Sequence, residues 1–358
     1  MFWPEKLSDI KMNFMSKKAR GLFDEQERLE KLSKKQDPLE RLSTHIDFEF
    51  FRRPLQEFFD KDVDRSKGGR PAYDYVLMFK ILILQRYYNL SDDTIEYAIL
   101  DRLSFMRFLS LGINDPVPDA KTIWLFRDKL AAQGMVEKLF GYLDKKLDKD
   151  GIIVHKGKIV DASIIEVPLQ RNNRDENKDL KEGNIPEDWG ENKLRQKDTN
   201  AKWTRKDNRN FFGYKNHIKA DSKTKLITGY IATAANVNDG KVIGDLLTRK
   251  EDGGQPLYAD SAYRSEAIEE MCRKKNIVSH IQQQGYRHKK LTEAQKRRNK
   301  KKSKIRARVE HIFGFMTNSM HEMFLRYRNF VRNRAAIGLM NLTYNLFRLV
   351  QLKKELVK

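Results

Sequence analysis

The chain has 358 residues, which is enough for two ordinary domains and a sizeable core. Its 71 Lys and Arg residues outnumber 50 Asp and Glu residues, and the formal net charge of +21 favours an anionic partner such as nucleic acid. A single cysteine, Cys272, excludes an intrachain disulfide and a cysteine-based zinc cluster. With no apolar run of about 20 residues and no secretory h-region, the sequence predicts a cytoplasmic protein that does not span a membrane.

Helical spacing and capping residues dominate the first 150 residues. We expect a helical, partly disordered segment at 1–60, a linker at 61–70 and a helical domain that fills 61–150. Its helices are predicted at 74–88, after a Ser91 cap, near 101–110 and from an Asp119 cap to about 148.

Strand patterns begin after residue 150. Strands are predicted at 152–160, 255–259 and 277–281, a hairpin at 211–235, and helices at 265–275, 291–318 and 331–352. This alternation indicates a mixed α/β domain over 151–352. The polar stretch at 166–210 has almost no apolar periodicity, so it predicts a long surface excursion that becomes ordered on a ligand.

Two aspartates follow short apolar runs with strand character. Asp161 ends Lys-Ile-Val-Asp and Asp260 ends Leu-Tyr-Ala-Asp, and small residues follow both. Carboxylates at strand ends point into one crevice and can hold Mg²⁺ against substrate phosphates. Each Asp alone is better explained as a turn or helix-cap residue, but the repeated pattern favours a shared metal site.

Glu310 lies in a predicted helix, beside a stripe of apolar residues at helical spacing. A carboxylate on the flank of that stripe can reach the edge of a sheet packed beneath the helix. The alternative is a solvated ion pair with Arg306, four residues earlier.

A very basic segment, 296–308, precedes Glu310, and nine of its thirteen residues are Lys or Arg. Such a run is either a solvated face or a phosphate-binding surface next to the carboxylates. The DNA contacts predicted from it are Lys300, Lys301, Lys302, Lys304, Arg306 and Arg308.

Two smaller groups are further candidates for DNA contact. Lys215 and His217 alternate on one face of the predicted hairpin, where a mixed solvent face is the alternative, and Tyr263 and Arg264 follow the second aspartate. No phosphate loop, dinucleotide fingerprint or His-Glu-x-x-His motif is present, so the sequence predicts no nucleotide cofactor.

With these residues in view, the chain resembles bacterial insertion-sequence transposases of the DDE type over roughly residues 40–350. The motifs that carry the resemblance are singly weak and together specific, and one position departs from them, Asn238, where a His is expected. The helical part matches at 68–74, 84–92, 101–109 and 118–124, and the catalytic part at Val-Asp-Ala-Ser (160–163), Gly-Tyr-Lys-Asn-His (213–217), Ala-Asn-Val-Asn-Asp (235–239), Ala-Asp-Ser-Ala-Tyr (259–263) and Arg-Ala-Arg-Val-Glu-His-Ile-Phe-Gly (306–314).

The resemblance implies a ribonuclease-H-like mixed sheet flanked by helices, preceded by a helical DNA-binding domain that recognises terminal inverted repeats through helix 119–131 or 91–100. It places Asp161, Asp260 and Glu310 on the three catalytic, metal-binding positions, with Asp161 shared by two Mg²⁺ ions or Mn²⁺ in their place. It further implies end cleavage, joining of the 3′-OH to target DNA, a homo-oligomer on double-stranded DNA and a bacterial, nucleoid-associated location. A metal-dependent nuclease that does not join, or a catalytically silent DNA-binding derivative, are the alternatives.

Overall fold

The computed structural model describes residues 21, 23–61, 68, 71–167, 170–286, 290–321 and 324–356. Residues 1–20 of the predicted N-terminal segment and most of the predicted linker at 61–70 lie outside the described residues. The helices of the first half are α1 (Asp24–Lys34), α2 (Pro38–His45), α3 (Arg52–Phe59), α4 (Tyr75–Tyr87), α5 (Asp92–Asp101), α6 (Leu103–Leu109), α7 (Ala120–Ala132) and α8 (Met135–Lys149), with a 3₁₀-helix at Phe48–Phe51.

The second half alternates strands and helices. Its strands are β1 (Lys158–Glu166), β2 (Lys202–Lys206), β3 (Arg209–Asp221), β4 (Ile227–Ala234), β5 (Pro256–Tyr258) and β6 (Val278–Ser279). Its helices are α9 (Arg174–Lys181), α10 (Glu191–Gln196), α11 (Asp239–Leu246), α12 (Arg249–Asp252), α13 (Glu266–Lys274), α14 (Glu293–Arg306), α15 (Arg308–Asn318) and α16 (Phe330–Leu356), with a 3₁₀-helix at Ser261–Tyr263. Within the described ranges, no helix is both long enough and apolar enough to cross a bilayer.

Capping residues start the helices where the sequence predicts them. Ser91 Oγ accepts the Thr94 N–H at the start of α5 (3.2 Å), and Asp119 Oδ1 accepts the Thr122 N–H at the start of α7 (2.6 Å). These bonds satisfy amides that a helix N-terminus leaves without intrahelical partners. The predicted helix starts at both positions are confirmed.

The long helix α16 joins the helical half to the sheet. It packs against α2, α4, α7 and α8 on one side and against β4 on the other. A Cβ at Gly338 would collide with the Tyr230 hydroxyl and with Val136, so only glycine permits this close approach. One hydrophobic core therefore runs through both halves, and the domain boundaries at 60 and 150 stay a prediction.

The sheet is mixed, with β1 near its centre. Strand β3 runs antiparallel to β1, β2 and β4, whereas β5 runs parallel to both β1 and β6, which gives the order β2-β3-β1-β5-β6 with β4 also on β3. Helices α15 and α16 cover one face, and α11 and α13 cover the other. The predicted mixed α/β sheet flanked by helices, after a helical N-terminal region, is confirmed.

The strand predicted at 152–160 is shifted towards the C-terminus. Ile152 and Ile153 belong to the C-terminal cap of α8, because both N–H groups donate to the Leu147 carbonyl (3.0 and 3.4 Å) after Gly151 adopts φ +68°. Strand β1 then continues to Glu166, since β3 supplies partners along its whole length. Asp161 is consequently the fourth residue of a nine-residue strand, and its predicted position at the strand end was wrong.

The helix predicted at 291–318 is two helices, α14 and α15, which meet at Ala307. The residues on either side of this break have different anchors. Arg306 binds Asp161, and Arg308 donates to the Ser222 carbonyl beside the β3–β4 turn. The break therefore lies directly over β1 and fixes where α15 begins.

The excursion at 166–210 contains regular elements, although its sequence has almost no apolar periodicity; its predicted ordering on a ligand stays a prediction. It contains α9, α10 and β2, and buried polar groups take the place of an apolar core. Glu176 accepts hydrogen bonds from Trp189 Nε1 and Lys197 Nζ, both at 2.9 Å. Although burial raises its pKa, these bonds and the Asn173 N–H lower the pKa of Glu176 to about 2. Hydrophobic periodicity did not predict α9, α10 and β2, because the internal contacts of this segment are polar.

Asp198 anchors the excursion to the rest of the protein. Its carboxylate accepts the Tyr214 hydroxyl of β3 (2.8 and 2.9 Å), the Asn333 amide of α16 (2.9 Å) and two backbone N–H groups of the excursion itself. Asp198, Ala201, Tyr214 and Asn333 are buried, whereas Asn200 is exposed.

We predict that Asp198→Ala lowers the free energy of unfolding by about 3 kcal/mol, because several buried donors lose their acceptor together. Urea unfolding measures the loss. Asp245→Ala, which removes an exposed carboxylate on α11, is the matched control and should change stability by less than about 0.5 kcal/mol. Equal effects of the two substitutions would contradict the anchoring role.

Candidate active site

Asp161 and Asp260 are brought level by the parallel pairing of β1 with β5. Ile159 pairs with Tyr258 in that ladder. Because side chains alternate along both chains, the residues two positions further on share the face of this pair. Those residues are Asp161 and Asp260, so the two carboxylates stand side by side where β5 has ended. The structure brings them together as the sequence predicts.

Burial and crowding of charge perturb Asp161. Its side chain is 20% exposed; Oδ1 accepts the Ala162 N–H (2.8 Å) and Oδ2 accepts from Arg306 Nη1 (3.2 Å). Burial, the largest cause, and the negative charge of Asp260 raise the pKa of Asp161 to about 6, although the Ala162 N–H, Arg306 and Lys206 act in the opposite direction. Two carboxylates in one partly buried crevice repel each other, and a bound cation would offset that repulsion.

Glu310 is linked to Asp161 by the side chain of Arg306. It lies in the first turn of α15, beside the buried Val309 and Ile312, and its carboxylate is 66% exposed. Arg306 Nη2 lies 3.5 Å from Glu310 Oε1 while Nη1 holds Asp161. The ion pair with Arg306 is therefore present, and the guanidinium bridges the carboxylates of Glu310 and Asp161.

The donor set has the chemistry of a divalent-metal site. Asp161, Asp260 and Glu310 supply only carboxylate oxygens, which are the ligands that Mg²⁺ and Mn²⁺ prefer. In the part of the chain that the structure describes, however, no three acidic, His or Cys side chains are close enough to enclose an ion as they stand. The Arg306 guanidinium lies between Asp161 and Glu310, with one nitrogen near each carboxylate. The donor chemistry of the three residues suits a divalent metal, whereas their spacing in this structure does not enclose one.

Lys215 and His217 face away from Asp161, towards α11. Lys215 Nζ donates to the Val237 carbonyl and to Asp239 Oδ1, both at 2.8 Å. His217 is fully buried, bonds Thr233 Oγ1 through Nε2 (2.8 Å), and has a pKa lowered to about 4, chiefly by burial. Neither arrangement leaves a surface for direct DNA contact, because partners along α11 and β4 already occupy these groups.

Tyr263 and Arg264 follow Asp260 but are not equivalent. The Tyr263 ring is buried in the core beneath α11, so the predicted direct DNA contact does not fit its burial. Arg264 is partly exposed and lies 3.8 Å from Glu269, with a bond to the Ile281 carbonyl (3.4 Å). Asn238, the departure from the expected His, caps α11 by accepting the Gly240 N–H (2.9 Å).

The basic helix α14 runs beside the segment that follows β6. Lys300, Lys301 and Lys304 are exposed, whereas Lys302 Nζ donates to the Ile281 carbonyl (2.8 Å). In the described residues α14 has no fully buried side chain. Its exposed lysines therefore form a cationic surface that leads to Arg306 and the carboxylates.

A second cationic surface lies on the excursion, where sequence reasoning found no site. Arg174, Lys178, Lys181 and Lys202 line a cavity of about 660 Å³ with Trp203 in its wall. The spacing of the first three, four residues and then three, is helical and was the available signal. Lys206, at the end of β2, is near enough to lower the pKa of Asp161, so this surface extends towards the carboxylates.

We predict that Asp161→Asn stabilises the metal-free protein at neutral pH. The pKa of Asp161 is about 6 in the folded state and about 4 when unfolded. Such a raised pKa favours folding below about pH 4, and this contribution is lost as the pH rises through 6. The variant should therefore gain about 2 kcal/mol over the parent between pH 4 and 7 in urea unfolding. Asp245→Asn should show no such trend. If the difference in unfolding free energy between Asp161→Asn and the parent did not depend on pH, burial would not be the cause of the raised pKa of Asp161.

Comparisons with known proteins give the family. Residues 27–129 match the family described as a transposase domain (DUF772), and residues 154–346, more than half of the chain, match the transposase DDE domain. A solved structure, the "Cryo-EM structure of piggyBac transposase synaptic complex with hairpin DNA (SNHP)", is 12% identical over 90% of this chain and 76% of that chain, with a TM-score of 0.45. That likeness supports no conclusion about activity. From the two family matches, the chain belongs to the transposase DDE domain family, the DDE-type transposases with a ribonuclease-H-like core.

Proposed function

We propose that this protein is a DNA transposase that binds the terminal inverted repeats of its insertion sequence, cleaves at the ends and joins the freed 3′-OH to target DNA. One observation carries the proposal. Asp161 on β1 and Asp260 just after β5 stand level through the parallel pairing of these strands, and Glu310 is connected to Asp161 through Arg306. Paired carboxylates beside a cationic helix are suited to phosphodiester chemistry, in which metal ions are held against substrate phosphates.

In this proposal Asp161, Asp260 and Glu310 hold two divalent ions, Mg²⁺ or Mn²⁺, and Asp161 is shared by both. When bound, the ions supply Lewis-acid activation of the attacking oxygen and charge stabilisation at the leaving oxygen. Asp161 is the natural shared ligand, because it is the more central residue of the sheet and is bonded on both oxygens. Glu310, being exposed on the first turn of α15, has the freedom to complete the site.

Arg306 changes partners in this scheme. In this structure its guanidinium offsets the charges of Asp161 and Glu310. Cations held by those carboxylates would repel it, and a DNA phosphate offers two non-bridging oxygens that the planar guanidinium can bind together. The same residue would thus pair with the carboxylates first and bind the substrate backbone afterwards.

The remaining DNA contacts are assigned by charge and exposure. Lys300, Lys301 and Lys304 of α14 and the cationic cavity of the excursion face solvent and suit phosphates. For the inverted repeats we favour α7 over α5, because α7 exposes Lys121 whereas α5 exposes acidic and apolar side chains. We retain residues 61–150 as the DNA-binding domain and 151–352 as the catalytic domain. Joining two ends implies a homo-oligomer on the bacterial nucleoid.

The first test measures cleavage and joining of a DNA end in the presence of Mg²⁺ or Mn²⁺. We expect Asp161→Asn, Asp260→Asn and Glu310→Gln each to abolish both products while DNA binding survives, because each removes a metal ligand and leaves the cationic surfaces intact. Glu293→Gln, an exposed glutamate on α14, is the matched control and should retain activity. If the parent protein cleaved DNA without forming a joined product, it would be a non-joining nuclease and not a transposase. If one of the three variants kept full activity, the substituted residue would not belong to the catalytic site.

A second test addresses the α14 surface. Replacing Lys300, Lys301 and Lys304 together by Gln should weaken DNA binding and flatten the dependence of log K on log salt by about 2.7, since each of three phosphate contacts contributes about 0.9 to that slope. Fluorescence anisotropy over a salt series measures the slope. The matched control replaces three exposed lysines of α8, Lys138, Lys145 and Lys149, by Gln at equal loss of charge. An identical slope change in both variants would make the effect one of net charge alone.

A further inference from the structure

The parallel ladder between β5 and β6 continues beyond the last residues of both strands. Inside the ladder, Val278 pairs with Pro256, and its N–H donates to the carbonyl of the residue before Pro256 (3.0 Å). The Gln282 N–H donates in the same way to the carbonyl of Ala259, the residue before Asp260 (3.2 Å). The repeated bonding pattern of a parallel ladder therefore pairs Gln282 with Asp260.

Gln282 consequently lies on the same face of the sheet as the two aspartates. Paired residues of neighbouring strands carry their side chains on one face. One step earlier in the ladder this is seen directly, because the rings of Tyr258 and His280 lie side by side with centroids 5.1 Å apart. The order of side chains across this level of the sheet is Asp161, Asp260 and then Gln282.

The two ends of this row differ in their surroundings. On the inner side Asp161 pairs with Ile218 of β3, which is fully buried, so apolar packing closes the row there. On the outer side Gln282 is partly exposed, and β6 is the last of the described strands in the sheet order. The open end of the row is therefore the end that carries the amide.

Helix α14 holds both ends of the row from one of its faces. Arg306 Nη1 donates to Asp161 Oδ2 (3.2 Å). One turn earlier, Ser303 Oγ accepts a hydrogen bond from Gln282 Nε2. Another turn earlier, the Asn299 side chain bonds the backbone N–H and carbonyl of the residue after Gln282, both at 2.9 Å. Steps of three and four residues belong to one helix face, so the helix that exposes the lysines also fixes the amide.

The Gln282 amide can form further hydrogen bonds in this arrangement. Its Nε2 carries two hydrogens, and within the described ranges Ser303 is the one partner of the side chain. A neutral amide does not repel an anion, whereas a third carboxylate at this place would. The row thus combines two carboxylates, which suit cations, with a nitrogen donor, which suits a phosphate oxygen.

We propose that Gln282 contacts the substrate: its Nε2 donates to a non-bridging oxygen of the DNA phosphate that is cleaved, while Ser303 holds the amide in place. This inference rests on the proposed function, because it takes a phosphate at Asp161 and Asp260 as its starting point. A fixed donor aimed at an oxygen that gains negative charge in the transition state accelerates the reaction without binding the metal ions itself.

Disulfide trapping tests the contact without any metal ion. The one cysteine of the chain, Cys272, is buried, so Gln282→Cys supplies the reactive thiol. We expect this variant to crosslink to a DNA end with a thiol tether on the scissile phosphate, and not to the same DNA with the tether one helical turn away. Gln56→Cys, at an exposed glutamine of α3, is the matched control and should crosslink to neither.

Single-turnover cleavage at saturating DNA gives the second measurement. Gln282→Met keeps the length of the side chain but removes the donor, so cleavage should slow about 10–100-fold, the effect of one hydrogen bond to a charged group. Its Mn²⁺ affinity and its stability in urea should stay close to those of the parent, and Gln56→Met should cleave at the parental rate. With a phosphorothioate at the scissile position, one diastereomer should show a smaller parent-to-variant ratio, because sulfur replaces the contacted oxygen.

The inference is wrong if Gln282→Cys does not trap the DNA tethered at the scissile phosphate, or if the parent-to-variant ratio is the same for the phosphodiester and both phosphorothioates. It is also wrong if Gln282→Met and Ser303→Ala lose stability equally and cleavage slows only in proportion, since the glutamine would then be structural. If Asp161→Asn abolishes cleavage while Gln282→Met is fully active, only the role of Gln282 is wrong. If the parent itself does not cleave the DNA end, the proposed function is wrong and the inference falls with it.

Discussion

The parallel pairing of β1 with β5 is the constraint on which the site depends. Only a matched register puts Asp161 and Asp260 on one face at one level. The apolar pattern sets that register, because Leu257 and Ala259 pack in the core under α11 while Tyr258 packs in the core under α15 and α16. A slip of one residue would bury the Asp260 carboxylate among apolar side chains and expose Leu257 to the other core. Hydrophobic alternation thus places the carboxylates.

Charge is the second determinant, and it acts locally as well as over the whole surface. Burial first, and then the neighbouring carboxylate of Asp260, raise the pKa of Asp161, so the charged form of Asp161 is disfavoured in the fold. Arg306 offsets part of this effect from the end of α14. The break at Ala307 separates the two residues, so that Arg306 ends α14 while Glu310 lies in the first turn of α15. The basic segment therefore completes the site electrostatically.

Sequence signals that depend on a few neighbouring residues predicted the structure reliably. Polar contacts between residues far apart in the chain could not be predicted. Caps at Ser91 and Asp119, and carboxylates after apolar runs, depend on a few neighbouring residues, so they can be read from the sequence. Residues 152–153 misled the strand assignment because the same apolar pattern suits a helix C-cap. The polar network around Asp198 has no periodicity at all, so the fold of the excursion could not be predicted. The burial of His217 and Tyr263 depends on α11, which folds back from a distant part of the chain.

The geometry of the excursion explains how a long insertion leaves the carboxylates undisturbed. The excursion departs after Glu166, whereas the ladder with β5 uses Lys158 and Ile159 at the opposite end of β1. It returns through β2 and is fastened by Asp198 to β3 and α16. Hydrogen bonds are directional, so this polar anchor specifies orientation more narrowly than an apolar patch would. That orientation brings Lys206 within electrostatic reach of Asp161, so the insertion contributes positive charge to the site without separating its strands.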